Sequence, residues 1–315
     1  MNKIGVFILG ASLIEFMISA CLGLILLTNI VSFYLRQLEI FKFHYAISYL
    51  QETGRFANYL FSQELHLAGY LGCSKLEDIN LPLQPIFGVS QKTINLMPEI
   101  PSFIISKIKP NTDIILINQL TPIISNLTDK ISTNADTISI KKNIFTKNYF
   151  YIFSDCTHIE KHQLLRTDTI NQVHISPPIK NEFAAQTEIS KFQQKIYFIM
   201  NTKRKNNQGK PIYALSRYNV NQPHTPQELL EGIENMRIFY GLILNGKIKF
   251  FSAENLKKQD WKKIKIIRIH LLLTHVEPLF KKIEYYHFLG HRYLSNDHNL
   301  KKEWIITIGL RQNVW

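Results

Sequence analysis

The chain has 315 residues, of which 45% are hydrophobic and 19% are charged, and its formal net charge is +13. With only 13 Gly and 12 Pro, this composition excludes a disordered, collagen-like or low-complexity protein. Three cysteines are too few for a small disulfide-rich scaffold. The positive charge attracts anionic partners, and by itself it leaves nucleic acid, anionic lipid and a plain basic surface open.

The N-terminal segment is apolar for long enough to cross a membrane. Between residues 4 and 35 the only charged residue is Glu15. The uncharged run from Phe16 to Leu35 has the length of about 20 residues that a helix needs to span a bilayer. A carboxylate inside such a segment costs about 3 kcal/mol, so its presence needs an explanation. Three ordinary interpretations are a cleaved secretory signal, a lipoprotein signal ending at Cys21, and a plain transmembrane anchor.

The residues around Gly10 favour a fourth interpretation. The segment Gly10-Ala-Ser-Leu-Ile-Glu15, followed by an apolar helix, resembles the class III signal of type IV prepilins and pseudopilins. The resemblance implies that a prepilin peptidase cuts after Gly10 and that Ala11 becomes the N-methylated first residue, where the family usually has Phe. It also implies that Glu15 compensates the amino terminus of a neighbouring subunit in a filament.

Hydrophobic residues beyond the apolar run recur at steps of three and four, which is the pattern of an amphipathic helix. They are Phe43, Ile47, Leu50, Gly54, Ala57, Phe61, Leu65 and Ala68. The pattern ends at Gly69 and Gly72, and glycine is typical of helix C-termini. We therefore predict a leader over residues 1–10, one helix over 11–68 with a transmembrane part at about 14–35, and a globular head over 69–315.

Further segments resemble the PilW family of type IV pilus minor pilins and assembly proteins. They follow the family's order and spacing: Leu50–Ala57, Leu65–Cys73, Tyr151–Cys156, Pro211–Arg217, Leu229–Gly241, Trp261, Ile264–Leu273 and Ile308–Asn313. The resemblance implies a minor pilin that primes and assembles the pilus, in a tip or initiation complex, and so supports twitching motility. It implies other minor pilins, the major pilin, the prepilin peptidase, the inner-membrane assembly platform and a tip adhesin as partners. The expected location is the bacterial inner membrane with the head in the periplasm, and the pilus after assembly.

Short apolar segments between turn residues predict a β-rich head. Strands are expected at about 113–117, 148–153, 195–200, 212–218, 236–244, 247–252, 265–274 and 304–310. Asn245-Gly246 is a hairpin signal, because both residues accept positive φ. Residues 227–231 are expected to form a helical turn at most, and about 75–110, 157–190 and 201–210 to be loops. The expected fold class is α+β, a long N-terminal α-helix packed on an antiparallel, pilin-like head.

The sequence shows no phosphate-binding loop, nucleophile elbow or zinc-protease pair, so we expect neither an enzyme nor a cofactor. His158, Glu160 and His162 alternate as ligands on one face of a strand would, but an exposed polar segment explains them equally well. His287 and His291 lie in a loop-like aromatic segment, for which a solvated patch is expected. No metal site is therefore predicted.

The remaining cysteines are interpreted from the compartment that the resemblance implies. Cys73 and Cys156 would lie outside the inner membrane, where disulfides persist. A bond between them would close a long loop and stabilise the head by about 4–5 kcal/mol, and two free buried thiols are the alternative. Cys21 in the membrane helix is expected to be a packing residue.

Two other functions remain open at this point. A J-type pseudopilin of type II secretion has the same N-terminal pattern. A membrane-anchored DNA-binding component of competence would use basic clusters such as Lys203-Arg204-Lys205 and the aromatic residues near 285–293. A scattered solvated surface explains these residues without nucleic acid, and the sequence shows no nucleic-acid-binding fold to organise them.

Overall fold

The computed structural model describes residues 13–70, 84–90, 93–94, 100–141, 149–155, 157–167, 171–221, 225–280 and 283–310. These residues form two compact units, divided between Tyr49 and Leu50. The predicted processing residues Gly10 and Ala11 lie outside the described residues, as do Cys73 and Cys156. The cleavage site and the disulfide therefore stay predictions.

A long N-terminal helix is followed by strands. The helices are α1 (Leu13–His66) and the short α2 (Ser102–Ile105). The strands are β1 (Ile86–Ser90), β2 (Asp113–Leu120), β3 (Ser125–Asn126), β4 (Thr137–Ser139), β5 (Phe150–Ser154), β6 (Ile159–Thr167), β7 (Gln172–Ser176), β8 (Glu188–Lys205), β9 (Pro211–Asn219), β10 (Gln227–Glu231), β11 (Ile233–Leu244), β12 (Lys247–Ser252), β13 (Ile266–Thr274), β14 (Glu284–Phe288), β15 (His291–Ser295) and β16 (Lys301–Gly309). The predicted α+β class is confirmed.

Within the described residues the strands form two larger sheets and a hairpin. The large sheet has ten strands, with β1-β2-β8-β5-β6-β7-β4 as its main path, while β9 and β3 pair with β8 and β10 pairs with β9. The small sheet has the order β12-β11-β13-β16, and β14 pairs with β15. Every one of these pairings is antiparallel, so short turns can connect many of the strands.

The small sheet has a buried face and an open face. Side chains alternate between faces along a strand, and Ile267, Ile269 and Leu271 of β13 are all buried. Arg268 and His270 between them lie on the open face. The β11–β12 turn is the predicted Asn245-Gly246 hairpin, with φ of 53° and 72°.

The structure differs from the sequence-based expectations where strands are partly exposed. Residues 227–231 form strand β10 against β9 instead of a helical turn. The expected loop at 157–190 contains β6 and β7, that at 75–110 contains β1 and α2, and β8 continues into 201–210. The segment with His287 and His291 is the β14–β15 hairpin, not a loop. Pairing with distant strands overrides local propensity in these segments.

Asp113 connects the two sheets. Its Oδ2 atom on β2 accepts a hydrogen bond from the backbone N–H of Ile238 in β11 at 2.8 Å. The same oxygen is 3.3 Å from Nε of Arg237. Burial raises the pKa of Asp113 to about 6, although the Ile238 amide and the Arg237 charge act in the opposite direction. An acidic group whose proton is held more tightly after folding stabilises the fold most at low pH.

The raised pKa of Asp113 makes the fold less stable as the pH rises. The contribution of Asp113 should be fully present below pH 3.8 and be lost as pH rises through about 6, a change of about 3 kcal/mol. We expect the free energy of unfolding of the wild type to fall by that amount relative to Asp113→Asn between about pH 4 and 7. Urea unfolding of the full chain in detergent micelles measures it. A constant difference between the two proteins across this range would contradict the assignment.

Candidate functional site

The N-terminal part of α1 exposes an almost continuous apolar surface. Ile14 and Phe16 are 68% and 73% exposed. The other large hydrophobic residues exposed up to residue 45 are Leu13, Met17, Ile18, Leu22, Leu24, Ile25, Leu26, Leu27, Ile30, Val31, Phe33, Tyr34, Leu35, Ile40, Phe41, Phe43 and Tyr45. Such a surface is much larger than the apolar patches of a few hundred Å² on soluble monomers, so lipid or other helices must cover it.

Polar side chains in this segment are satisfied by the helix itself. The hydroxyls of Ser19 and Thr28 donate to the carbonyls of Glu15 and Leu24, at 2.7 and 2.6 Å. The amide of Asn29 donates to the Ile25 carbonyl at 2.8 Å. These bonds to the preceding turn leave few groups that need water, as a lipid environment requires. Among the described residues, α1 is the one helix long and apolar enough to cross a membrane, and it fits a membrane anchor.

Glu15 lies in the first turn of α1 and is exposed. Its neighbours Ile14 and Phe16 are apolar, so the carboxylate is part of the surface that lipid or another helix would cover. An acidic group near a helix N-terminus is also favoured by the helix dipole. This position is compatible with the predicted pairing to a cation of a neighbouring chain.

From Leu50 on, α1 belongs to the second unit, and its apolar side is buried there as the periodicity predicts. Leu50, Ala57, Phe61 and Leu65 are all at most 2% exposed. Phe61 packs against Tyr197 of β8, with ring centroids 5.7 Å apart. The helix ends at His66, and Gly69 follows with φ of +65°, a conformation that glycine adopts readily. These buried residues therefore attach α1 to the β-rich head.

At Gly54 the helix lies directly against the ring of Trp304. A Cβ atom placed there would lie 2.4 Å from Cδ2 of Trp304, a β16 residue of the small sheet. No side chain fits at this distance without movement of the indole ring. Close packing of helix and sheet thus depends on the absence of a side chain at residue 54.

A buried ion pair holds the last turn of α1. Nζ of Lys195 in β8 donates to both carboxylate oxygens of Glu64, at 2.9 Å each. Nη1 of Arg217 in β9 is 3.7 Å from Oε1 of the same carboxylate. The side chains of Glu64 and Lys195 are only 10% and 13% exposed. Burial, together with the Glu64 charge, raises the pKa of the adjoining Tyr197 well above its usual value. Sequence patterns do not reveal this cluster, because a charged residue beside the apolar side of a helix resembles a surface residue.

Glu160 and His162 are buried rather than exposed, which corrects the interpretation of this segment as a solvated one. Nε2 of His162 is 3.0 Å from Oε2 of Glu160, and its Nδ1 is 2.7 Å from the carbonyl of Pro177. Backbone N–H groups of Lys180 and Asn181 donate to the same carboxylate. Burial lowers the pKa of His162. These bonds fasten the segment after β7 to the Glu160–His162 pair. In the described part of the chain, no group of three His, Cys, Asp or Glu side chains could hold a metal ion.

The basic clusters are partly neutralised. Arg204, at the centre of the Lys203–Lys205 cluster, forms ion pairs with Glu228 and Glu231, the latter at 3.1 Å. Burial tends to lower the pKa of Lys301, but the charges of Glu234 and Asp297 outweigh that and raise it. The net charge of +13 is therefore not concentrated at Lys203–Lys205, the cluster considered for DNA.

Comparison with known families finds a match in the C-terminal part of the chain. Residues 196–312 match the family model described as Type IV Pilus-assembly protein W, PilW. The match runs from within β8 past the end of β16, and so includes all of the small sheet. It supports the PilW resemblance of the segments at 211–217, 229–241 and 264–273. No curated protein matches the chain.

Proposed function

We propose that this protein is a non-enzymatic minor pilin that helps to prime and assemble a type IV pilus. The observation that carries the proposal is the exposed apolar surface of α1 on a chain whose head matches PilW. A soluble PilW-like domain would not need an exposed apolar helix. A membrane-anchored protein unrelated to pili would not be expected to match PilW.

The proposed pathway begins in the inner membrane, where the prepilin peptidase cuts after Gly10 and Ala11 becomes N-methylated. The apolar surface of α1 then passes from lipid to the helices of other pilins, which is a change between two apolar environments and so needs little free energy. Glu15 sets the register by pairing with the amino terminus of its neighbour, since a buried charge requires a compensating one. A Cys73–Cys156 disulfide would hold the periplasmic head.

The proposed partners are other minor pilins, the major pilin, the assembly platform and a tip adhesin, in a complex that primes the pilus and stays at its tip. Twitching motility would then depend on the protein. A J-type pseudopilin of type II secretion would have the same anchor, but the match to a pilus-assembly family favours the pilus.

Glu15→Ala tests the role of the anchor. We expect surface pili to decrease at least about tenfold, because losing one partner of a buried charge pair costs about 2–5 kcal/mol. The chain should still enter the membrane, since the substitution makes the segment more apolar. Pili are counted by electron microscopy, and membrane content is measured by immunoblot.

Glu52→Ala is the matched control, because Glu52 is exposed on the same helix outside the apolar segment. That variant should assemble pili at the wild-type level. Normal pili in Glu15→Ala would refute the role of this carboxylate. Intact pili in a deletion strain that fails to secrete enzymes would favour the pseudopilin.

A further inference from the structure

The open face of the small sheet exposes apolar side chains around one cation. Ile243, Ile248 and Ile305 are 54%, 48% and 53% exposed. Strand register places Ile243 opposite Ile248, and Ile305 opposite His270. Phe239 and Phe250 occupy the middle of the same face and are only partly buried. Scattered single apolar residues are normal on a surface, but these lie on one face of four neighbouring strands, with Ile243 and Ile248 at one end and Ile305 beside His270.

Arg268 is at the centre of this face, opposite Phe239 on one side and Thr307 on the other. Its guanidinium group lies 4.0 Å from the centre of the Phe250 ring. In the part of the chain that the structure describes, no carboxylate is within ion-pair distance of it. The two other basic groups of the face are compensated: Arg237 by Asp113 at 3.3 Å and His270 by Glu303 at 2.7 Å.

Charge decides which occupant fits. A second copy is disfavoured, because each chain carries a net charge of +13. The register places Lys247 and Lys249 of β12 on the other face of the sheet, since Ile248 and Phe250 alternate with them. Nucleic acid and anionic membranes are held by several cations at once, whereas Arg268 is a single one. A protein surface with a carboxylate among apolar side chains meets both requirements of the face.

Size gives a second constraint. At strand spacings of about 4.8 Å and about 3.3 Å per residue, the face covers roughly 300–400 Å². A stable interface buries about 800 Å² per partner, so the occupant should extend beyond the sheet. The β14–β15 hairpin is adjacent, since the N–H of Leu289 in its turn donates to Oε1 of Glu303 at 3.0 Å. The hairpin exposes 55% of Tyr285 and 46% of Leu294, which can enlarge the contact.

We propose that the open face docks a different protein, whose apolar surface carries a carboxylate that pairs with Arg268. The proposal does not depend on filament formation.

The test of this proposal replaces Ile305 with benzoylphenylalanine in the full chain in living cells. Leu165 of β6, also 53% exposed, is the matched control position. Ultraviolet light should produce one adduct of defined mass from residue 305 and none from 165, and mass spectrometry identifies the partner.

The charge requirement is tested in the same cells. Arg268→Glu should reduce the adduct at least about tenfold, the result of losing one desolvated charge pair, and Arg268→Lys should retain most of it. Reversing the partner's acidic residue to Lys should restore the adduct with Arg268→Glu. If Arg268→Glu does not accumulate as a folded chain, Arg268→Gln is measured instead. No adduct, an adduct with a second copy, nucleic acid or lipid, or one insensitive to residue 268 would overturn the proposal. Normal pili in Glu15→Ala would leave this result unaffected.

Discussion

Glu64→Ala should destabilise the head by about 3–5 kcal/mol, because Lys195 then remains buried without its carboxylate. Arg217 lies 3.7 Å away and would lose the same partner. A loss of this size is a large part of the 5–15 kcal/mol by which a typical domain is stable. Chemical unfolding of the full chain in detergent micelles, followed by circular dichroism, measures the free energy of unfolding.

The control for Glu64 is an ion pair of similar length at the surface. Lys130 and Glu182 are 2.7 Å apart, and their side chains are 68% and 58% exposed. Glu182→Ala should leave the unfolding midpoint unchanged, since water and salt screen such a pair. Equal effects of the two substitutions would show that burial of Glu64 has no energetic consequence.

Gly54→Ala should destabilise the head by about 1–3 kcal/mol, although Gly→Ala within a helix normally stabilises by about 1 kcal/mol. The new methyl group would lie less than 3 Å from three atoms of the Trp304 ring, which must then move. Urea unfolding of the full chain measures the effect. Stabilisation by Gly54→Ala would contradict the close approach.

Two further variants isolate the cause at Gly54. Gly23→Ala, in the same helix, meets no atom within 4 Å and should not destabilise the head. Trp304→Leu removes the crowding ring, so the double variant should be more stable than the sum of the two single effects predicts. Additive effects would place the strain elsewhere.

Much of the architecture follows from patterns within short segments of the sequence. The run from Phe16 to Leu35 predicts the exposed apolar helix by its length, and the three-four spacing predicts which side of its continuation is buried. Strands with a continuous hydrophobic run, such as β13, are predicted for the same reason. Asn245-Gly246 predicts the β11–β12 hairpin because both residues accept positive φ.

The missed features depend on residues far apart in the chain. Strand β10 has mostly exposed or half-buried side chains, so only its pairing with β9 reveals it. The sequence around Glu64 is that of a solvated residue, and only the fold brings Lys195 of β8, 131 positions later, within hydrogen-bond distance. Asp113 similarly meets Ile238 from a different sheet. Periodicity within one segment contains no information on contacts between residues that are distant in the sequence.

The open face is likewise not predictable from patterns within one segment. Alternation along β11 and β13 predicts that Phe239 and Arg268 each point away from the core. Their position opposite one another, beside Phe250, requires the register of three strands. A functional surface made of single residues from several strands therefore becomes visible only in the folded chain.

The most direct test of the proposed function is the intact mass and N-terminal sequence of the protein purified from its native membrane. The minor-pilin proposal predicts a mature chain that begins with N-methylated Ala11. A chain that retains Met1, or one that begins at a lipid-modified Cys21, would contradict it.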